Sequence, residues 1–293
     1  MAAVPHSVGA LTNNPIKGQA FEVEKIGVTI GAELHGLDLA QPLKDATFAR
    51  LESALIEHKV VYARDQFLTP EQHVALGKRF GDLEVHPFHR FGEAPQLMVL
   101  DNHKDNPVLS TDVWHSDTTF RDCPTRYSIL RACIIPDLGG DTLWADMCAA
   151  YDGLAEPMKR MLEGLTAVHD FQTFRRLFTQ AEEDRARLRE IEKRLPNPAH
   201  PVVRTHPVTG KKAIYVNALF TTHIVGLSTE ESRALLAFLC ELPRVPEYQF
   251  RVRWKPGTLV FWDNRSTQHY ACNDYYPNRR RMERVAVVGD KPF

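Results

Sequence analysis

The sequence predicts a mainly β protein, a sandwich or jelly roll interrupted by helical insertions. Two observations support this prediction. Short runs rich in β-branched and aromatic residues dominate the chain from residue 95 onward. Turn-forming pairs such as Gly139-Gly140 and Pro256-Gly257 separate these runs, a pattern typical of sheets built from many short strands.

Seven of these runs have the composition expected of strands. They cover residues 97–100, 128–133, 142–144, 213–216, 250–254, 258–262 and 282–288. Earlier in the chain, residues 21–30 predict a strand followed by a turn, and residues 60–62 predict a short buried strand. Apolar residues at helical spacing over residues 48–56 predict a helix between them.

The clearest helix start lies at Thr69-Pro70-Glu71-Gln72. Thr69 can cap the helix and Pro70 suits its first turn, while Gln72 can complete a capping box. This helix is predicted to end near Gly81.

Two helical insertions are predicted within the β region, near residues 147–194 and 228–241. The second begins at Ser228, with Glu231 completing another capping box. The first ends in the charged stretch 182–194. A solvated helix face is the simplest interpretation of that stretch, and a mobile lid is the alternative.

Composition narrows the choice of partners. The formal net charge of −1 creates no broad field that favours nucleic acid or an acidic membrane, so charge selectivity is expected to be local, inside a pocket. No apolar run approaches the roughly 20 residues needed to span a bilayer.

The five cysteines include no Cys-x-x-Cys pair, which favours a cytoplasmic protein with reduced thiols. Residues 1–20 are polar and aperiodic and predict a flexible leader.

The segment Trp114-His115-Ser116-Asp117 places an imidazole and a carboxylate two residues apart. In a strand, both side chains would face the same side, about 6–7 Å apart along the chain. They would supply two ligands of the 2-His-1-carboxylate set that holds Fe(II) and leaves positions open. The alternative is a hydrogen-bonded His–Asp pair on a half-buried strand.

A second candidate imidazole, His269, ends the strand-like segment 261–269, and Arg280 and Arg284 follow it. Strand alternation places these two arginines and Met282 on one face, with the arginines about 13 Å apart. One guanidinium could hold the distal carboxylate of 2-oxoglutarate and the other a second anion, because its planar fork binds carboxylate-like groups. The alternative is a solvated basic edge strand or a nucleic-acid patch.

Four motifs together resemble the taurine dioxygenase (TauD/TfdA) family of Fe(II)- and 2-oxoglutarate-dependent dioxygenases. They are Trp-His-x-Asp-x-Thr-Phe, Gly-Gly-Asp-Thr-Leu-Trp, His-Pro-Val-Val-Arg-Thr-His-Pro and Trp-Asp-Asn-Arg-x-Thr-Gln-His-Tyr-Ala. The similarity runs from about Val28 to Phe293. It implies a double-stranded β-helix, the cupin-like jelly roll, in a single dioxygenase domain over residues 21–293.

The resemblance also implies Fe(II), O2 and 2-oxoglutarate as co-substrate. The metal ligands would be His115, Asp117 and His269. The 2-oxoglutarate would be held by Arg280, with the hydroxyl of Thr142 helping.

For the substrate, the resemblance implies an anion held by Arg284 and His86, in a pocket closed by Phe120 and Phe220. The sequence departs from the taurine enzymes where the substrate's other end is recognised. Thr111 replaces an Asn, His89 replaces a Tyr, and Thr118 stands where Val is common, so we count these three among the substrate-binding residues. An aromatic wall position aligns with Arg175 or its neighbour Phe174.

The expected substrate is a small anion, foremost taurine or a related alkylsulfonate, with release of sulfite and an aldehyde. Alternatives are the same chemistry on an alkyl sulfate ester or a phenoxyalkanoic acid, a zinc hydrolase, or a non-catalytic binding protein. The resemblance implies a homodimer or homotetramer. The near-neutral net charge and the lack of a long apolar run lead us to expect neither nucleic acid nor membrane as a partner.

Overall fold

The computed structural model describes residues 21–86, 88, 94–106, 111–175, 177–178 and 181–293. The predicted leader, residues 1–20, lies outside the described residues, as does His89. Among the described residues, no helix has the length and apolar character needed to cross a membrane.

Fifteen strands are formed by the described residues. In chain order they are β1 Glu22–Lys25, β2 Ala32–His35, β3 Val60–Ala63, β4 Met98–Asn102, β5 Thr125–Ile134, β6 Thr142–Asp146, β7 Thr166–His169, β8 Ala199–Pro201, β9 Val203–Thr205, β10 Lys212–Ile214, β11 Thr221–Ile224, β12 Gln249–Val252, β13 Leu259–Asp263, β14 Thr267–Ala271 and β15 Arg280–Val288. Each of the seven strand-like runs predicted after residue 95 overlaps a different one of these strands.

Seven α-helices accompany them within the described part of the chain. They are α1 Asp45–His58, α2 Pro70–Lys78, α3 Met147–Asp152, α4 Glu156–Leu162, α5 Gln172–Arg175, α6 Glu182–Arg194 and α7 Thr229–Glu241. Short 3-10 helices at Leu242–Arg244 and Pro246–Tyr248 follow α7.

The predicted helix starts are confirmed in atomic detail. The side chain of Thr69 accepts a hydrogen bond from the backbone N–H of Gln72, and the side-chain oxygen of Gln72 accepts one from the backbone N–H of Thr69. Ser228 and Glu231 form the same reciprocal pair at the start of α7. Helix α2 ends at Lys78, slightly before the predicted Gly81.

The largest sheet has seven strands in the order β1-β2-β3-β13-β5-β15-β4. A three-stranded sheet in the order β12-β6-β14 lies against one of its faces. Tryptophans pack between the two sheets: the rings of Trp144 on β6 and Trp262 on β13 lie 5.7 Å apart. On the opposite face, Leu55 of α1 and Leu76 of α2 join the core beneath Phe261.

Each sheet contributes one strand to the region where the candidate site lies. Strand β15 is an inner strand of the large sheet, hydrogen-bonded to β4 and β5 on either side. It is therefore not an edge strand. Strand β14 pairs with β6 in the small sheet, and an isolated bridge joins His269 of β14 to His115. The candidate residues therefore converge at the opening between the two sheets.

Candidate metal and 2-oxoglutarate site

Two imidazoles and one carboxylate meet at this opening. Ligand atoms of His115, Asp117 and His269 all lie within 4.8 Å of one another, and all three side chains are buried. The two imidazole centroids are 4.1 Å apart, and Nε2 of His269 lies 3.9 Å from Oδ1 of Asp117. Two nitrogens and one carboxylate on one side of a cavity match the donor set of a non-haem Fe(II) site.

Backbone pairing fixes the two imidazoles side by side. The N–H groups of His115 and His269 each donate to the carbonyl of the other, at 3.1 and 2.8 Å. Nδ1 of His115 donates to the carbonyl of Val113 at 2.7 Å, which sets the tautomer and leaves Nε2 able to act as a ligand. Nδ1 of His269 is buried and has no hydrogen-bond partner among the described residues.

The prediction that His115 and Asp117 share one strand is wrong. His115 forms an isolated bridge, and a turn begins at Asp117. Thr118 has a φ of +49°, and its carbonyl accepts from the backbone N–H of Arg121 at 2.9 Å. This turn, rather than strand alternation, brings the carboxylate beside the imidazoles.

Two residues that the sequence analysis missed hold Asp117 in place. Ser128 on β5 donates to Oδ2 of Asp117 at 2.7 Å. Asn264 accepts from the backbone N–H of Asp117 at 3.0 Å and donates to Ser128 at 3.1 Å. Trp262 donates to the same amide oxygen of Asn264 at 3.0 Å. Asn264 and Trp262 belong to the Trp-Asp-Asn-Arg motif, which was the available sequence signal for this support. Through Asn264 the motif stabilises the loop that carries Asp117.

Electrostatics favours the protonation states that a metal requires. Burial alone would raise the pKa of Asp117, but the charge of Arg284 and the hydrogen bond from Ser128 hold it well below its usual range. Burial lowers the pKa of both imidazoles. Metal ligands must be ionised carboxylates and neutral imidazoles, so the three side chains fit a divalent cation.

A buried guanidinium lies at the other end of the cavity. Arg280 is 4% exposed, and its Nε donates to the carbonyl of Gly140 at 3.0 Å. The hydroxyl of Thr142 lies 3.5 Å from a terminal nitrogen of Arg280 and accepts from Trp254 at 3.0 Å. No carboxylate of the described residues forms an ion pair with Arg280. A buried cation without a counter-ion is costly, so this position suits an anion.

The predicted alternation along β15 is confirmed, because Arg280 and Arg284 both line the cavity. Arg284 donates to Oδ1 of Asp117 at 2.5 Å. His86 lines the same cavity. One wall therefore presents two guanidinium groups separated by four residues, one beside Thr142 and the other beside the carboxylate of the metal set.

The neighbouring arginines do not form a free basic patch. Arg279 makes a bidentate ion pair with Asp101 at 2.8 and 2.7 Å. Arg281 lies 2.8 Å from Glu283, which also pairs with Arg131. Together with the inner position of β15, this argues against the alternative of a solvated basic edge strand.

The other candidate substrate residues lie around the same cavity of about 220 Å³. Phe120 and Phe220 are buried, with ring centroids 5.1 Å apart. Thr111 and Thr118 also line the cavity, although the Thr118 hydroxyl is hydrogen-bonded to that of Thr125 at 2.8 Å.

Of the neighbours Phe174 and Arg175, it is Phe174 that lines the cavity. Its ring lies 5.8 Å from that of Phe220 and lines the cavity. Arg175 instead binds Asp170 at 2.8 Å and Glu192 of α6 at 3.1 Å. Of these two neighbouring residues, Phe174 therefore supplies the wall.

Comparison with known proteins places this geometry in a family. Residues 22–286 match the family model described as "Taurine catabolism dioxygenase TauD, TfdA family". An alkylsulfatase from Acinetobacter baylyi is 35% identical over 278 residues, covering 93% of this chain and 86% of the relative. An alpha-ketoglutarate-dependent sulfate ester dioxygenase from Pseudomonas putida is 33% identical over 298 residues, covering 100% of this chain and 94% of the relative.

A solved structure supports the same assignment. A taurine dioxygenase from Burkholderia xenovorans is 36% identical and superposes with a TM-score of 0.77, covering 93% of this chain and 92% of that one. The protein is a 2-oxoglutarate-dependent dioxygenase that uses Fe(II) and O2. It belongs to the TauD/TfdA family, and this membership decides against the zinc hydrolase and the non-catalytic binding protein.

Proposed function

We propose that this enzyme oxidises a small organic anion, foremost an alkylsulfonate such as taurine. One observation carries the proposal: β15 presents two arginines to one cavity, Arg280 beside Thr142 and Arg284 beside Asp117. Two anions must bind near the metal set for this chemistry, the 2-oxoglutarate and the substrate. Two separated guanidinium groups provide one site for each.

We propose that His115, Asp117 and His269 bind Fe(II), with Ser128 and Asn264 holding the carboxylate in position. Arg280 and Thr142 would bind the distal carboxylate of 2-oxoglutarate. When bound, iron supplies the redox chemistry that couples decarboxylation of 2-oxoglutarate to hydroxylation of a substrate C–H bond.

The remaining residues position the substrate. Arg284 and His86 would bind its anionic group, which holds one carbon near the metal. Phe120 and Phe220 would exclude water from this part of the cavity. His89, Thr111 and Thr118 stay predictions as substrate contacts.

The proposed reaction divides the two atoms of O2 between succinate and the substrate. One atom of O2 enters succinate as 2-oxoglutarate loses CO2, and the other forms a hydroxyl on the carbon next to sulfur. The C–S bond of this adduct then breaks, and the electron pair leaves with sulfite while the hydroxyl loses its proton. The products are an aldehyde, sulfite, succinate and CO2.

A specific observation favours a second substrate. The relatives from Acinetobacter baylyi and Pseudomonas putida are named for alkyl sulfate and sulfate ester chemistry. A sulfate ester offers the same three terminal oxygens, sharing one negative charge, to Arg284 and His86, and hydroxylation of its first carbon would release sulfate instead of sulfite. A relative from Cupriavidus pinatubonensis is named for 2,4-dichlorophenoxyacetate, which keeps phenoxyalkanoic acids as a further alternative.

We also propose that residues 21–293 form one catalytic domain with the double-stranded β-helix (jelly-roll) topology. The two facing sheets with a site at their opening support this proposal. Assembly as a homodimer or homotetramer stays a prediction.

The test is turnover of the protein loaded with Fe(II) and 2-oxoglutarate. Alkylsulfonates, alkyl sulfates and phenoxyalkanoates are supplied separately, and succinate, sulfite and sulfate are measured. We expect succinate to form in proportion to sulfite with sulfonates, or to sulfate with sulfate esters. Succinate formation that no anion stimulates would contradict the proposed function. Asp117→Ala serves as the inactive control.

A further inference from the structure

One wall of the cavity is apolar. It is formed by six side chains, Phe88, Phe120, Phe174, Leu177, Leu219 and Phe220. The wall begins at the proposed anion and metal sites, because the ring of Phe174 lies 5.9 Å from His86 and that of Phe220 lies 6.1 Å from His115. A substrate anchored by its anion therefore extends its other end along this wall.

The described residues of this wall offer no counter-charge for a substrate ammonium group. Among the described residues that line the cavity, the only carboxylates are Asp117 and Asp101. Asp117 belongs to the metal set. Both carboxylate oxygens of Asp101 are bound by Arg279 at 2.8 and 2.7 Å.

Asp101 also lies at the wrong end of the cavity. It pairs with Arg281 on β15, whereas Met98, three residues earlier on β4, pairs with Arg284. Three residues of strand span about 10 Å. An ammonium near the aromatic wall could thus contact ring faces, whose attraction for a cation is small compared with its lost hydration.

Contacts of the adjacent residue Arg175 hold Phe174 in this wall. Arg175 donates to both carboxylate oxygens of Asp170 at 2.8 and 2.9 Å and to Glu192 at 3.1 Å. Its guanidinium also stacks 4.5 Å above the ring of Phe171. We call these contacts of Arg175 the clamp. With Arg175 directed outward, its neighbour Phe174 faces the cavity.

We propose that the substrate is an anion whose far end is uncharged and apolar, and that Phe174, positioned by the Arg175 clamp, is a specificity-determining residue. This inference rests on the proposed function and narrows its substrate class. Within the alkylsulfonate class of the proposed function, it places simple alkylsulfonates ahead of taurine. The small cavity, about 220 Å³ against roughly 300–1,000 Å³ for common ligand pockets, favours a short alkyl chain.

The matched pair of substrates is taurine and propane-1-sulfonate, which differ in an ammonium or a methyl group at the same position. With the Fe(II)- and 2-oxoglutarate-loaded enzyme, we expect kcat/KM for sulfite release to favour propane-1-sulfonate by at least about tenfold. Calorimetry on the Mn(II)-loaded, 2-oxoglutarate-bound protein should rank the two substrates in the same way, with the lower Kd for propane-1-sulfonate. Equal or better use of taurine would overturn the inference and leave the proposed function standing. If no anion stimulates succinate formation, the proposed function itself fails.

Variants of Phe174 test the residue assignment. Phe174→Asp supplies a counter-charge and should shift the ratio of kcat/KM values toward taurine by about tenfold or more. Phe174→Ser, should the aspartate variant fail to fold, should also reduce the preference for propane-1-sulfonate. The control Phe238→Asp changes an exposed ring on α7 and should leave the ratio unchanged. An unchanged ratio in a folded Phe174 variant would overturn the role of Phe174.

The clamp has its own test. Arg175→Ala should raise KM for propane-1-sulfonate and lower its preference over taurine, while KM for 2-oxoglutarate stays unchanged. Arg175→Lys keeps a cation near Asp170 and should restore part of the preference. A merely structural role would lower stability without moving the ratio, and that result would remove Arg175 from the proposal.

Discussion

Arg284 donates a 2.5 Å hydrogen bond to Oδ1 of Asp117, the same oxygen that lies 3.9 Å from Nε2 of His269. The proposed substrate-binding arginine and the proposed metal-binding carboxylate thus meet at a single atom. Asp117 is 4% exposed, so Arg284 contributes much of the positive charge that keeps it ionised. The substrate anion would bind immediately beside the metal set.

Replacing Arg284 with Ala should separate the two anion sites. Because charge-assisted hydrogen bonds contribute about 1.5–3 kcal/mol, KM for the substrate should rise roughly 10- to 150-fold. KM for 2-oxoglutarate should change much less, since Arg280 is retained. Steady-state kinetics at saturating Fe(II) measures both constants. The control Arg280→Ala should give the reverse pattern, and equal losses in both constants would reject the division between the arginines.

Local sequence patterns were sufficient for the parts of the site that lie on regular elements. Strand alternation correctly placed Arg280 and Arg284 on one face of β15, because side chains in a strand alternate whatever the strand packs against. The capping boxes at Thr69 and Ser228 were equally predictable, since each involves residues only three positions apart.

The rest depends on contacts between distant residues. The turn at Asp117 is held by Asn264, 147 positions away, and no local periodicity indicates such a partner. Likewise, ion pairs of Arg175 with Asp170 and Glu192 determine which neighbour faces the cavity. In a helix as short as α5, spacing alone cannot assign a buried face.

Ser128 offers a test of the support behind the metal set. Ser128→Ala removes the hydrogen bond to Oδ2 of Asp117, so the carboxylate should be less well oriented. Loss of such a supporting contact typically weakens metal binding by about 10- to 100-fold. Titration with Mn(II), followed by electron paramagnetic resonance, measures the affinity. Ser53→Ala, which removes an exposed hydroxyl bonded to the carbonyl of Ala49, is the control, and indistinguishable affinities would contradict the assignment.

His73 should make the fold sensitive to acid. Burial, aided by the charge of Arg131, lowers the pKa of His73 from 6.5 to about 3. Between these two values the unfolded chain binds a proton at His73 that the folded chain does not. The free energy of unfolding should therefore fall as the pH drops below 6.5, by about 1 kcal/mol per pH unit from this residue.

His73→Gln should remove that contribution, because a neutral amide cannot take up the proton and can still donate to the carbonyl of Ile129. Urea unfolding between pH 4 and pH 8, read by circular dichroism, gives the two curves. They should run parallel above about pH 7 and diverge below it. Parallel curves over the whole range would show that His73 is protonated equally in both states.

Gly140 should strengthen the binding of 2-oxoglutarate. Its φ is +72°, and an added Cβ would lie 3.0 Å from Cδ of Arg280 and 3.1 Å from Cδ1 of Tyr275. Its carbonyl accepts from Nε of Arg280. Gly140→Ala should displace the guanidinium and raise KM for 2-oxoglutarate about 4- to 13-fold, if roughly half of a charge-assisted hydrogen bond is lost.

Gly164 provides the matched control, because it has a similar φ of +74° and nothing within 4 Å of an added Cβ. Both alanine variants should lose stability from the left-handed backbone, by roughly 1–2 kcal/mol. KM for 2-oxoglutarate should rise in Gly140→Ala alone. If Gly164→Ala raised it equally, backbone strain and not the contact with Arg280 would account for the effect. An unchanged KM in both variants would mean that the position of Arg280 tolerates the added methyl group.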